Sequence, residues 1–258
     1  MNNLFVAIVQ TSIVWEDVDA NLSVFTNKLK TIDTDVNLVV LPEMFASGFT
    51  MKGKEKIAER YDDVLAWMRN ESSMGNYTLM GSTIYREEDK YYNRYLVAHP
   101  DGRVEFYDKR HLFTMGAESK HFTAGKDYIV VDVKGWKVRP FVCYDLRFPV
   151  WCRNTDNYDL AIFSANWPEA RREAWMTLLK ARAIENQAYV AGVNCVGEDG
   201  NKLIYSGDSA VYDYLGAKVA ECETKQEEIS ICELSAERLN KFRKDFPVLT
   251  DMDKFEIQ

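Results

Sequence analysis

Three residues that could carry out hydrolytic chemistry each follow a short apolar run. Glu43 follows LVVLP, Lys109 follows VEFYD and Cys143 follows RPFV. Runs of this length and composition predict buried strands, and catalytic groups collect at the carboxyl edge of such strands in α/β sheets. A thiol, a carboxylate and an ammonium group are a suitable nucleophile, general base and oxyanion donor. Taken singly, each residue is more typical of an ordinary turn, core or surface position.

Together with their neighbours, these residues form three ordered motifs. The motifs are LPE at residues 41–43, YDKRHLF at 107–113 and CYDLRFP at 143–149. They resemble, in the same order, the signatures of the nitrilase superfamily of carbon–nitrogen hydrolases. The resemblance covers nearly the whole chain, from the strand that ends in Gln10 to the segment SGDS at 206–209. Within the superfamily, KRHLF and CYDLRFP are most similar to the omega-amidase branch, whose members hydrolyse the distal amide of 2-oxoglutaramate or 2-oxosuccinamate.

The resemblance implies amide hydrolysis through a thioester on Cys143. Glu43 would activate the thiol, protonate the departing ammonia and then activate water. Lys109 and the backbone N–H of Tyr144 would hold the tetrahedral oxyanion. Glu118, in the loop after Lys109, would be an accessory acid that orients Lys109 or the amide, with an ordinary solvated loop carboxylate as the alternative. This scheme requires no metal, nucleotide or flavin cofactor.

An omega-amidase must also hold a carboxylate next to a ketone, and arginine suits that task. Arg171 and Arg172 follow the segment SANWP and are candidates, although both could instead be solvated residues in the first turn of the next helix. Arg147 is expected to be structural and to pair with an acidic neighbour, with a substrate carboxylate as the alternative partner. The aromatic residues predicted to line the substrate pocket are Phe45, Tyr144 and Trp167.

The other cysteines and the histidine of the second motif are predicted to be structural. His111 is expected to support its loop through hydrogen bonds and not to act as a base. The chain has five cysteines, with no C-x-x-C pair and no zinc-ligand spacing, which predicts reduced thiols in a cytoplasmic protein. The cysteines expected to pack as small apolar side chains are Cys152, Cys195, Cys222 and Cys232.

The elements that must position these residues alternate between strands and helices. Predicted strands span residues 4–12, 36–41, 77–85, 91–99, 103–108, 128–133, 136–143, 159–165, 188–196, 208–213, 217–221 and 227–233. Predicted helices span residues 17–32, 53–70 and 169–187, with a last one that begins near Ser235. This order predicts an α/β protein with mixed sheets, organised as one domain over residues 1–258. The family resemblance implies a four-layer α-β-β-α sandwich, with subunits paired so that two sheets stack across an interface, as a homodimer or higher homo-oligomer.

Composition limits the classes of partner. The chain has 258 residues, of which 47% are hydrophobic and 28% charged, as expected of a globular protein. Its net charge of −8 argues against nucleic acid or an anionic membrane as the main partner but does not exclude a small anionic substrate, because a few local Arg or Lys residues would suffice. No apolar run approaches the roughly 20 residues of a membrane span, and the first residues lack the basic region of a signal peptide. The alternatives to an omega-amidase are another amidase or N-carbamoyl hydrolase of the same superfamily, a catalytically silent scaffold and a redox-sensing thiol protein.

Overall fold

The computed structural model describes residues 2–256, so the predicted domain of residues 1–258 extends beyond the described part by three residues. The strands of this part are β1 (Leu4–Gln10), β2 (Leu38–Val40), β3 (Thr78–Glu87), β4 (Lys90–Ala98), β5 (Val104–Asp108), β6 (Val131–Val133), β7 (Trp136–Val142), β8 (Leu160–Ala165), β9 (Tyr189–Asn194), β10 (Val196–Glu198), β11 (Ile204–Ser206), β12 (Ala210–Tyr212), β13 (Lys218–Glu221) and β14 (Glu228–Leu234). The helices are α1 (Val18–Leu29), α2 (Lys54–Ala58), α3 (Tyr61–Gly75), α4 (Pro149–Cys152), α5 (Arg172–Asn186) and α6 (Ala236–Asp245).

Two mixed sheets of six strands form the centre of the fold. The first has the order β14-β1-β2-β3-β4-β5, and the second has the order β13-β12-β9-β8-β7-β6. The pairs β1–β2 and β2–β3 are parallel in the first sheet, as are β7–β8 and β8–β9 in the second. Strands β2 and β7 therefore end at carboxyl edges of parallel strands, where Glu43 and Cys143 follow them.

The sheets pack face to face, with helices on their outer sides. Val6 and Val40 of the first sheet share one buried apolar cluster with Phe141 and Phe163 of the second. Residues that alternate with these along the first sheet point outward and pack with helices α1 and α3, while α5 covers the second sheet. The predicted α-β-β-α sandwich is confirmed, and its two sheets stack against each other within one chain.

Two predicted segments differ from the observed elements. The helix predicted over residues 53–70 is divided into α2 and α3, and α3 continues to Gly75, where Asn76 adopts a left-handed conformation (φ +53°). The two-stranded β10–β11 sheet was not predicted, because each strand has three residues and both are partly exposed. Among the helices of residues 2–256, none combines the length and apolar character that crossing a bilayer requires.

Candidate active site

Cys143 occupies a sharp turn between strand β7 and a short 3-10 helix over Cys143–Arg147. Its φ of +46° lies in the left-handed region, which costs a non-glycine residue on the order of 1–3 kcal/mol. The turn directs the side chain into a cavity of about 790 Å³ that Cys143 lines. Because Tyr144 lies in the first turn of the helix, its N–H has no partner within that helix and is available as a donor beside the thiol.

The carboxylate of Asp145 ties this turn to the loop that follows β5. Its Oδ2 accepts hydrogen bonds from the Val142 N–H at 2.9 Å and the Tyr107 hydroxyl at 2.7 Å. Its Oδ1 accepts from the His111 N–H at 3.0 Å and lies 2.8 Å from His111 Nδ1. His111 thus makes the loop-supporting bonds expected of it, and the segment that carries Lys109 is held against the cysteine turn.

Lys109 lies between two buried carboxylates. Its Nζ is 2.9 Å from Glu43 Oε1, 3.0 Å from Glu118 Oε1 and 2.9 Å from Glu118 Oε2. All three side chains are fully buried. The Phe113 N–H donates to Glu118 Oε2 at 2.6 Å and so holds Glu118 in place. The structure therefore brings together the two carboxylates and the ammonium group that the motifs and the loop position singled out.

Two asparagines that sequence reasoning missed complete the surroundings of Glu43. The Asn166 N–H donates to Glu43 Oε2 at 2.9 Å, and Asn166 Nδ2 donates to the Glu43 main-chain oxygen at 2.6 Å. Asn93 Nδ2 donates to Glu43 Oε1 at 2.8 Å. Asn166 directly follows strand β8, so the strand-end rule could have found it. Asn93 lies in the middle of β4, where no sequence signal marks it.

Two arginines line the same cavity as Cys143. The Arg147 guanidinium carbon lies 4.7 Å from the centre of the Trp167 ring, and that of Arg171 lies 5.2 Å from the centre of the Phe113 ring. Within residues 2–256, neither guanidinium forms an ion pair. The expectation that Arg147 pairs with an acidic neighbour is therefore wrong, because its side chain extends over an aromatic ring into the cavity.

The carbon–nitrogen hydrolase family model matches residues 5–244. The chain belongs to this family. It is 46% identical over 255 residues to the omega-amidase YafV of Yersinia enterocolitica and 45% identical over 257 residues to that of Escherichia coli K12, with 99% and 100% of each chain covered. A solved structure of a CN-hydrolase superfamily protein from Xanthomonas campestris, XC1258, which has an arsenic adduct in its active site, is 42% identical and superposes with a TM-score of 0.97 over all of both chains.

Electrostatics determine the resting state of this hydrolase. Burial raises the pKa of the Cys143 thiol well above its ordinary value, and Glu43 raises it further, including through a hydrogen bond, against the opposing effect of Lys109. Burial alone would lower the pKa of Lys109, but the charges of Glu118 and Glu43 outweigh it and raise that pKa. These pKa directions favour a neutral thiol on Cys143 beside the ammonium group of Lys109, so a nucleophilic role for Cys143 would require a base that takes the thiol proton.

Two residues that were predicted to bind substrate, Phe45 and Arg172, do not line the cavity of this hydrolase. Phe45 is fully buried between the first sheet and its helices, with ring centres 5.4 Å from Phe25 and 5.6 Å from Trp67. A left-handed turn at Met44 (φ +43°) follows Glu43 and carries the chain to that side. The assignment of Phe45 to the pocket is therefore wrong.

Arg172 is likewise not a pocket residue in this hydrolase. Its guanidinium binds Asp208, with Nη2 2.6 Å from Oδ1 and Nε 3.1 Å from Oδ2. Arg171 is the last residue of a 3-10 turn and Arg172 is the first residue of α5, and of the two only Arg171 lines the cavity. Tyr144 and Trp167 do line it, together with Arg171. The prediction for Arg172 is wrong.

The four other cysteines have mixed surroundings. Cys152, Cys195 and Cys222 are buried and Cys232 is half-buried, and all are free thiols. Cys195 does more than fill space, because its Sγ lies 3.0 Å from Asn166 Oδ1 and so contacts the residue that holds Glu43.

Proposed function

We propose that this hydrolase is an omega-amidase that releases ammonia from the distal amide of short 2-oxo dicarboxylic acid monoamides such as 2-oxoglutaramate and 2-oxosuccinamate. The observation that carries the proposal is that Cys143 shares its cavity with Arg147 and Arg171, two guanidinium groups without an acidic partner in the described part of the chain. A substrate carboxylate would supply that partner. The full-length relatives named as omega-amidases support the same substrate class.

The first half of the reaction forms a thioester. Cys143 Sγ attacks the amide carbon while its proton passes to the Glu43 carboxylate. The carbonyl oxygen becomes an oxyanion, which the Lys109 ammonium and the Tyr144 N–H stabilise. Glu43 then gives the proton to the amide nitrogen, the C–N bond breaks and ammonia leaves.

The second half regenerates the thiol. Glu43 takes a proton from a water molecule as the water oxygen attacks the thioester carbon, and the same donors hold the second oxyanion. The C–S bond breaks, the free acid leaves and Sγ regains the proton from Glu43. In this scheme Glu118 keeps the Lys109 ammonium charged and oriented, because both of its oxygens lie within 3.0 Å of Nζ.

The test is ammonia release from the two 2-oxo amides beside glutamine, asparagine, an N-carbamoyl amino acid and a simple nitrile. Cys143→Ala is the blank, and Cys232→Ala is the matched control because that thiol lies outside the cavity. We expect turnover of the 2-oxo amides, its loss in Cys143→Ala and its retention in Cys232→Ala. Exclusive turnover of another compound would overturn the substrate, and turnover by Cys143→Ala would overturn the mechanism.

Glu43→Gln tests the general base separately from the nucleophile. A positioned base typically contributes about 10²–10⁴-fold to the rate, so we expect a loss of that size in kcat. A loss of only about tenfold would contradict the base role. Mass spectrometry of the quenched reaction would detect the acyl-enzyme on Cys143.

We also propose that the enzyme is cytoplasmic and forms a homodimer or higher homo-oligomer. Five free cysteines support a reducing compartment. Sedimentation of the purified protein tests the oligomer, and a monomer at micromolar concentration would contradict it.

A further inference from the structure

Asn93 contacts three of the groups that carry the proposed chemistry. It lies in strand β4, and its side chain is fully buried. Its Nδ2 is 2.8 Å from Glu43 Oε1 and 3.3 Å from Glu118 Oε1. Its main-chain oxygen accepts the N–H of Lys109 at 3.0 Å. A single residue of the central sheet thus joins both carboxylates to the strand end that positions the ammonium group.

The charges of the site explain why such a bridge is needed. Glu43 and Glu118 are two buried carboxylates around the single ammonium of Lys109, so like charges are held close together away from water. Two carboxylates in that arrangement favour protonation of one of them. The Asn93 amide has two N–H groups, and each can donate to one carboxylate. Its donors therefore oppose the uptake of a proton by the pair.

The other end of the same amide supports this role. Asn93 Oδ1 is buried and has no hydrogen-bond partner among the described residues. An unpaired buried acceptor is unfavourable, and burying it is the consequence of pointing the NH₂ group at the acids. The reverse orientation would place Oδ1 against two carboxylates. The two donated bonds offset the cost of the unpaired oxygen.

The same bonds distinguish the two oxygens of Glu43. Oε1 accepts from both Lys109 and Asn93, whereas Oε2 accepts from the Asn166 N–H. Oε2 thus has the smaller number of donors and the more available lone pairs. It is the better acceptor for the proton of Cys143.

We propose that Asn93 is a positioning residue that keeps Glu43 and Glu118 ionised around Lys109 and leaves Glu43 Oε2 as the atom that accepts the thiol proton. This inference rests on the proposed amide hydrolysis. The titratable groups that face the carboxylate pair are Lys109, Cys143 and, through Asn166, Cys195. Only Lys109 is a cation, so the loss of the Asn93 donors has no other compensation within this set.

The experiment compares Asn93→Leu and Asn93→Asp with the wild type in the dependence of kcat/KM on pH. The acid limb of that profile reports ionisation of the essential base in the free enzyme. A hydrogen bond to a charged group corresponds to about 1–2 pH units, so we expect the acid limb of Asn93→Leu to move up by that amount, with the rate regained at higher pH. Asn93→Asp adds a third carboxylate and should move the limb further in the same direction.

Asn154→Asp is the matched control. Asn154 is also fully buried, but its side chain bonds main-chain atoms of Tyr158 and Asn186 away from the cavity. The same isosteric change there should lower stability and leave the acid limb at its wild-type position. If Asn93→Leu does not fold, Asn93→Asp and the control decide the question.

A second measurement needs no substrate. The rate at which iodoacetamide alkylates Cys143, followed on its own peptide by mass spectrometry, should show the same upward shift in Asn93→Leu. A uniform loss of rate at every pH, with the limb unmoved in both assays, would overturn the inference. A shifted alkylation profile in a protein that hydrolyses no amide would uphold it and refute the proposed function instead.

Discussion

Removing a single cavity arginine should weaken recognition of the substrate carboxylate while leaving amide chemistry intact. Arg147 and Arg171 line the cavity of Cys143, whereas Arg172, the chain neighbour of Arg171, is paired with Asp208. Two opposite charges 4 Å apart attract by about 4 kcal/mol at an effective dielectric constant near 20. After desolvation, a hydrogen bond to a charged group contributes about 1.5–3 kcal/mol.

That contribution converts to roughly 10–150-fold in kcat/KM, since about 1.4 kcal/mol corresponds to a factor of ten. We expect a loss in this range for Arg147→Ala and for Arg171→Ala with glutaramate, an amide that carries a carboxylate. With pentanamide, a neutral amide of the same chain length, the same variants should change kcat/KM by less than about threefold. The difference between the two substrates isolates the charge interaction from any disturbance of the catalytic groups.

Arg172→Ala is the control for charge and position along the chain. It removes an ion pair whose arginine side chain is 36% exposed, so we expect a loss of about 1 kcal/mol in unfolding free energy and unchanged kcat/KM for both amides. Initial rates of ammonia release and urea denaturation measure these quantities. Equal losses on the charged and neutral amides, or a substrate-dependent loss in Arg172→Ala, would refute the assignment of the carboxylate site.

Two further predictions concern buried and partly buried charge. Lys109→Met should lower the free energy of unfolding by about 3–5 kcal/mol because it leaves two buried carboxylates without a cation, whereas Glu118→Gln leaves a balanced pair and should cost clearly less. Urea denaturation of the two variants checks this order, and equal losses would contradict it. Burial alone would raise the pKa of Glu227, but hydrogen bonds from Ser12 and Lys28 outweigh it and lower that pKa to about 2 from about 4.5. Its contribution is complete above pH 4.5 and declines as the pH falls towards 2. Because the Glu227 side chain is 43% exposed, Glu227→Gln should lower the free energy of unfolding by only about 1 kcal/mol at pH 7. The loss should be smaller at pH 3. A difference in unfolding free energy between wild type and variant that is the same at both pH values would contradict this prediction.

Local sequence patterns were sufficient for the elements and for the principal groups of the site. Short apolar runs before Glu43 and Cys143 predict strands that end at a sheet edge, and both strands do end there. The motif around Lys109 was recognised from residue types at fixed spacing. These predictions succeed because both the burial of a short apolar run and the point at which its strand ends depend on residues close by in the sequence.

The contacts of the loop after Lys109 and the lining of the pocket could be read only from the tertiary structure. Glu118 could be named from its distance after Lys109, but its two-oxygen contact with Nζ depends on how residues 109–127 fold back on the first sheet. Phe45 was assigned to the pocket by its proximity to Glu43, and the turn at Met44 instead buries it beneath the helices. Nearness along the chain does not fix which side of a sheet a side chain reaches.

The sequence by itself determined the family motifs, the order of strands and helices, and the presence of a thiol, a carboxylate and an ammonium group at strand ends. Only the tertiary structure decided that Asn93, 50 residues from Glu43, donates to its carboxylate. It also decided that Arg171 faces the cavity while Arg172 binds Asp208. The physical reason is that the hydrogen-bond and ion-pair partners of these side chains lie on strands and turns that are distant in sequence. The partner within reach, and not the residue type, determines the role of each polar side chain.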